Sequence, residues 1–333
     1  MKVLVTGAAG FIGAYVSHAL LDRGASVTGV DSLNDYYDPS LKARRFGFLK
    51  ERPAFSAHEL DIADVPAMAA LVADGKFDTV IHLAAQAGVR YSLKAPFAYA
   101  QSNLVGHLSV LEAVRHAPSQ PFLIYASSSS VYGNTATTPF SESERADTPE
   151  SLYAATKRSC ELMSSSYTQL YGLPQVGLRF FTVYGPWGRP DMAYWGFAKR
   201  ILDGEPIDVF NHGDLRRDFT WIDDIVDGVV RIAEGGANPL HGQLHRIYNI
   251  GNNHPERLLD FIEVLEASLG RKADKRFLPM QPGDVYETAA DISAIRADYG
   301  FEPTTSIETG LERFASWFVA YRNDRTTAWT KNS

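Results

Sequence analysis

Short apolar runs of strand length recur along the first half of the chain: Val3 to Val5, Val27 to Val30, Phe55 to His58, Thr79 to Leu83, Phe122 to Ala126 and Gln175 to Phe180. Between them lie stretches whose apolar residues repeat at helical spacing, the first through Ile12, Val16, Ala19 and Leu20. Strands that read as continuously apolar, alternating with helices, predict an α/β fold built on a doubly wound parallel sheet covered on both faces.

After residue 182 the rhythm breaks, with Gly185-Pro186-Trp187-Gly188-Arg189-Pro190 followed by shorter elements. This predicts residues 1–182 as the main domain and residues 183–322 as a smaller, interleaved C-terminal region. Phe219 to Val230 and Ile247 to Ile250 are apolar enough to return to the main body, and residues 323–333 read as a polar, frayed tail. Two segments, Phe97 to Arg115 and Ala154 to Tyr171, carry apolar residues on more than one helical face. One face covers the sheet, so the other needs a second cover.

At 333 residues the chain can bury a full core. A formal charge of −7 with dispersed Lys and Arg argues against nucleic acid as a partner. Cys160, the single cysteine, sits in a helical run as a packed thiol and suits a reducing cytoplasm. The nine histidines lack ligand spacing, so no catalytic metal is expected. No basic leader or long apolar run is present, which predicts a soluble cytoplasmic protein without a membrane partner.

Candidate chemistry gathers where strands end, which is where parallel sheets carry their sites. Gly7, Gly10 and Gly13 follow the first strand, and Phe11 and Ile12 open a helix, which makes a cradle for a pyrophosphate. Asp31 closes the second strand, where a carboxylate accepts from both ribose hydroxyls of an adenosine and repels a 2′-phosphate, so NAD is favoured over NADP. Tyr153 and Lys157 stand four apart on one helix face. A tyrosine hydroxyl, with a reference pKa of about 10, is a poor base unless cations support its phenolate. With that support Tyr153 can take a proton from an alcohol as hydride leaves the same carbon for NAD⁺.

The Thr6-Gly-x-x-Gly-x-x-Gly13 loop and Tyr153-Ala-Ala-Thr-Lys157 resemble the extended short-chain dehydrogenase/reductase family, over nearly the whole chain. The resemblance implies a Rossmann-type sheet and a third catalytic residue three before the Val of Val-Tyr-Gly, which is Ser128, with Ser127 and Ser129 as neighbours of the same type. It places Lys157 on the nicotinamide ribose, Asp61 and Ile62 at the adenine, Leu83, Ala84 and Ala85 beside the dinucleotide, and Asn103 steadying the active-site segment. It further implies a homodimer in which the two doubly apolar helices form a four-helix bundle. His82 reads as buried and structural.

Longer strings resemble UDP-glucuronate 4-epimerases within that family: Asn34-Asp35-Tyr36-Tyr37, Gln86-Ala87-Gly88-Val89-Arg90-Tyr91-Ser92, and Leu178 through Ala193. Serines at 129 and 130 stand where related dehydratases place an Asp-Glu pair and related decarboxylases a Glu. The resemblance implies C4 epimerisation of UDP-glucuronate to UDP-galacturonate through a 4-keto sugar, with Asn34 at the cofactor and Thr182 and Arg189 on the C6 carboxylate. Phe210 would lie near the uracil, Arg217 at the diphosphate or ribose, and Asp284 at the ribose. Gln281 departs from related epimerases and leaves one phosphate contact to Arg90 or Arg179. A UDP-glucuronate decarboxylase, another UDP-sugar 4-epimerase and a non-catalytic NAD sensor are the alternatives.

Overall fold

The apolar runs become the strands of one parallel sheet. In the computed structural model, which describes residues 1–134, 137–281, 284–323 and 328–329, β1 (Lys2–Thr6) leads into α1 (Phe11–Asp22), β2 (Ser26–Asp31) into α2 (Pro39–Lys50), and β3 (Phe55–Glu59) into α3 (Val65–Gly75). After β4 (Thr79–His82) come α4 (Pro96–Tyr99), a π-helical stretch over Ala100–Val105, and α5 (Gly106–His116). The first half closes with β5 (Phe122–Ser128), α6 (Leu152–Tyr171) and β6 (Gln175–Phe180).

Shorter elements follow: β7 (Thr182–Tyr184), α7 (Ala193–Asp203), β8 (Ile207–Val209), β9 (Arg216–Trp221), α8 (Ile222–Gly235) and β10 (His245–Ile250). The chain continues through β11 (Pro255–Arg257), α9 (Leu258–Leu269), β12 (Lys275–Phe277), α10 (Ser293–Tyr299) and α11 (Ile307–Asn323).

The main sheet has the order β10-β6-β5-β4-β1-β2-β3, and every pair in it is parallel. β10 joins it beside β6, from His245 opposite Gln175 to Ile250 opposite Phe180, so this late segment does return to the main body. α8 also returns, packing on α1. Strand order reverses between β1 and β4, which opens a crevice at their C-terminal ends. β7, β9 and β11 form a second small sheet, and β8 and β12 pair separately.

Val3, Leu4 and Val5 are fully buried, as are Val80, Ile81, Leu123 and Ile124. Each such aliphatic side chain contributes roughly 1.5–3 kcal/mol by leaving water. The crevice therefore sits on a rigid floor.

Two expectations need correction. The helix over Phe97 to Arg115 is interrupted: the π-helical turn shifts the register and sets Asn103 inward, where it is buried. The C-terminal tail is not wholly frayed, since Trp329 stacks on His18 with ring centroids 4.3 Å apart and also lies on Trp187. Residues 324–327 and 330–333 of that tail lie outside the described residues. Among the described residues no helix is long and apolar enough to cross a membrane.

Candidate active site

The crevice is lined by Gly7, Gly10, Phe11, Ile12 and Gly13 after β1, and by Asp31 and Asn34 after β2. Asp61 and Ile62 follow β3, and Leu83, Ala84 and Ala85 follow β4. Gly7 has φ +73°, and a Cβ there would lie 2.8 Å from the amide nitrogen of Ala84, so only glycine lets the two strand ends meet. A Cβ on Gly13 would collide with the carbonyl of Gly7. No side chain caps α1, which leaves its first-turn N–H groups and positive dipole end for an anion. These features fit a dinucleotide pyrophosphate.

Asp31 accepts from the N–H of Ala9 at 3.0 Å and of Leu33 at 2.9 Å. Each oxygen keeps a second acceptor position for a ribose hydroxyl. Burial pushes this carboxyl up, against the pull of those N–H groups, Lys42 and Arg45. Lys42, which also lines the crevice, donates to the Asn34 carbonyl at 2.8 Å and fixes the Asn34 side chain. Asp61 accepts from the N–H of Ala63 at 2.9 Å, while the next helix is capped by Asp64.

At the inner end stand Ser128, Tyr153 and Lys157, all lining the same cleft. Ser151 starts α6 by accepting from the N–H of Ala154 at 3.1 Å, which sets Tyr153 and Lys157 on the crevice side of the helix. Lys157 Nζ donates to the Ala126 carbonyl at 2.9 Å. The Tyr153 ring meets Tyr99 edge-on at 6.1 Å. Ser128 Oγ accepts from the Ser130 N–H and donates to the Ser130 hydroxyl, both at 3.2 Å. Ser129, Thr182 and Arg189 complete the wall.

Several predicted site residues are placed differently. Ser127 lines the cleft, but its hydroxyl donates to Glu161 at 2.6 Å, because successive strand residues face opposite sides of the sheet. Asn103 is absent from the lining. It instead brackets Gln86, accepting from its N–H at 2.8 Å and donating to its carbonyl at 3.1 Å, and reaches Thr156 at 3.0 Å. Arg179 is held bidentately by the buried carboxylate of Glu161 at 2.8 and 2.9 Å, so it is a structural ion pair rather than a phosphate contact.

Arg189 already has a carboxylate partner in its own loop, Asp191, bound through Nε at 3.1 Å and Nη2 at 2.5 Å. Burial opposes the charge on Asp191, but Arg189 beside it holds its carboxyl below the usual range.

Arg90, Phe210, Arg217 and Asp284 are brought together outside this cleft lining. Arg90 lies 3.9 Å from Asp284 and over the Phe210 ring at 5.4 Å. Arg217 donates to the carbonyls of Arg216 at 2.8 Å and Tyr286 at 3.0 Å; burial lowers its pKa and Asp284 opposes this. Pro282 and Gly283, in the string that singled out Asp284, lie outside the described residues.

Cys160 is a packed thiol bonded to the Asn103 carbonyl, and burial pushes it up to about 11. His82 is buried, with Nδ1 2.8 Å from Thr6 Oγ1.

Sequence reasoning missed Arg45, Lys42, Glu161 and Asp191. Arg45 falls at i+4 from Leu41 and i−4 from Leu49, on the apolar stripe of α2, and that placement was its available signal.

Known proteins resemble this chain in both sequence and fold. Residues 3–251 match the NAD dependent epimerase/dehydratase family. UDP-glucuronate 4-epimerase 1 of Arabidopsis thaliana is 47% identical over 98% of this chain and 79% of its own. The crystal structure of UDP-glucuronic acid 4-epimerase from Bacillus cereus in complex with UDP-glucuronic acid and NAD superposes with a TM-score of 0.88 at 36% identity, covering 96% of this chain and 99% of that one. A UDP-glucose 4-epimerase from Thermotoga maritima with UDP-glucose reaches 0.86 at 29% identity, covering 97% and 100%, so the fold alone does not choose the sugar. Matched to that family over residues 3–251 and 47% identical to a relative along 98% of its length, the chain belongs to the NAD dependent epimerase/dehydratase family.

Proposed function

We propose that the protein interconverts UDP-glucuronate and UDP-galacturonate by inverting C4 with a retained NAD. The observation that carries this reading is one cleft in which Ser128, Tyr153 and Lys157 face Thr182 and Arg189. A proton acceptor and a carboxylate-binding pair thereby address the same ligand.

Gly7, Gly10, Phe11, Ile12 and Gly13 hold the pyrophosphate of NAD, Asp31 its adenosine ribose, and Asn34, Asp61 and Ile62 the adenosine end. Leu83, Ala84 and Ala85 pass its inner half, and Lys157 holds the second ribose. Bound NAD supplies the acceptor and later donor of the C4 hydrogen with its electron pair.

Tyr153 takes the O4 proton and returns it on the other epimer, while Ser128 steadies O4 by a hydrogen bond. Asn103 acts indirectly, by fixing the main chain of Gln86. Arg90, Phe210, Arg217 and Asp284 bind the UDP part, so residues 183–322 serve mainly the substrate, within a region interleaved with the main body. The 4-keto sugar turns about its diphosphate link between the two half-reactions.

Thr182 and Arg189 bind the C6 carboxylate. In the 4-keto sugar this carboxylate is β to the ketone, and holding its C5–C6 bond out of line with the carbonyl π system prevents loss of CO₂. Ser129 and Ser130 offer no carboxylic acid for elimination. Leu93, Phe97, Leu108, Leu162 and Leu170 expose an apolar surface beside and along the helices around α5 and α6, which supports a homodimer closed across those helices, and the lone cysteine suits a cytoplasmic location. Incubating purified protein with UDP-glucuronate and resolving the uronic acids tests the reading: UDP-galacturonate is expected, and a UDP-pentose with CO₂ would replace it with the decarboxylase.

A further inference from the structure

A guanidinium can grip carboxylates along two edges, one formed by Nε with an Nη and the other by the two Nη atoms. In Arg189 the first edge is taken by Asp191. Asp191 is itself held by a second group, because the Tyr36 hydroxyl donates at 3.0 Å to Oδ2, the oxygen that Nη2 of Arg189 also grips. Tyr36 is fixed in turn: its ring packs against Tyr91 at 4.8 Å, and its hydroxyl fills the space where a Cβ on Gly88 would stand. Three separate loops, after β2, β4 and β7, thus meet at one guanidinium.

We propose that Asp191, held by Tyr36, is a positioning residue that turns the free edge of Arg189 toward the C6 carboxylate and so sets preference for a uronic acid over a neutral hexose. This rests on the functional reading above. A long arginine side chain loses aim once its fork partner is gone, and the uronic carboxylate is the only part of the sugar that needs that aim. A neutral hydroxymethyl group at C6 is indifferent to it. Asp191 does not compete with the substrate, since the two carboxylates use different edges.

Aim also bears on the side reaction. In the 4-keto sugar a misheld carboxylate departs as CO₂: the C5–C6 bond breaks, its electron pair enters the C4 ketone as an enolate, and C5 then takes a proton.

The test uses NAD-loaded wild type, Asp191→Asn and Tyr36→Phe, the second of which removes a single oxygen and guards against a misfolded first variant. Calorimetry with UDP-glucuronate and UDP-glucose gives a binding ratio, and trapping of CO₂ gives the fraction of turnovers lost. Both variants should bind UDP-glucuronate about 10-fold more weakly, the scale of one weakened hydrogen bond between charged groups, with UDP-glucose changed by less than about 2-fold. They should also release a larger share of CO₂. Equal losses for both sugars would reduce the pair to a loop brace, and tighter binding of UDP-glucuronate would make Asp191 a competitor; either overturns the proposal. A wild type that binds UDP-glucuronate without epimerising it sinks the functional reading instead, and the binding ratio still judges Asp191.

Discussion

Arg45 and Gly188 lie far apart in sequence, yet Nη2 of the buried Arg45 donates to the Gly188 carbonyl at 2.7 Å. The same guanidinium reaches the carbonyl of Trp187, the Ala9 carbonyl at 3.2 Å and the Tyr37 hydroxyl at 2.7 Å. One side chain therefore ties the glycine cradle to the loop that carries Arg189.

Replacing Arg45 with methionine keeps the bulk and strands those acceptors in the interior. The expected loss is about 3 kcal/mol of stability, the scale of buried polar groups left without partners. Urea unfolding measures it, and the NAD content of the purified variant should fall as well. Native stability together with full NAD content would show that the bridge is idle.

Tyr153→Phe removes the proton acceptor and leaves the ring and its edge-on contact with Tyr99. Turnover should fall about 100-fold or more, the usual scale for lost general acid/base catalysis, with NAD content unchanged. Steady-state kinetics decide, and near-native turnover removes Tyr153 from the mechanism.

The buried Glu161 contributes to the acid limit. Burial opposes its charge, but Arg179, the Ser127 hydroxyl and Arg158 hold its carboxyl below the ordinary range. A depressed folded pKa contributes stability that is full above the unfolded value, about 4.3, and is lost as pH falls through the folded one. Unfolding free energy should therefore drop on acidification below that point. Glu161→Gln should flatten this limb while lowering neutral stability by about 3–5 kcal/mol, because Arg179 keeps a buried charge. Parallel acid limbs in the two proteins would assign the loss elsewhere.

Arg189→Ala leaves the C6 carboxylate unpaired in a partly desolvated pocket, at roughly 2–5 kcal/mol. Action on UDP-glucuronate should fall far more than any trace activity on UDP-glucose. Kinetics with both sugars check this, and equal losses would mean that Arg189 does not read the carboxylate.

Much of this was legible in the sequence. β1, β2, β4, β5 and β6 announce themselves because strands buried on both faces are largely apolar, whereas the edge strand β3 is part exposed and marked mainly by its place between two helices; glycine and Tyr-x-x-x-Lys spacings follow from backbone approach and helical repeat. What stayed hidden depends on direction and distance. Nothing local to Ser127, Ser128 and Ser129 says which hydroxyl is already engaged; Glu161, one turn beyond Lys157 on α6, claims that of Ser127. The pairing of Arg189 with Asp191 depends on Tyr36 arriving from another loop. The π-helical turn at Asn103 has no compositional mark, and strands as short as Lys275–Phe277 carry no periodicity to read.

The central claim is that one retained NAD takes and returns the same hydrogen at C4. UDP-glucuronate carrying deuterium at C4, incubated with the purified protein in ordinary water, tests it most directly by mass spectrometry and NMR of the products. The account predicts UDP-galacturonate with deuterium still at C4 and no CO₂. Label lost to water, or a UDP-pentose with CO₂ as the main product, would contradict it.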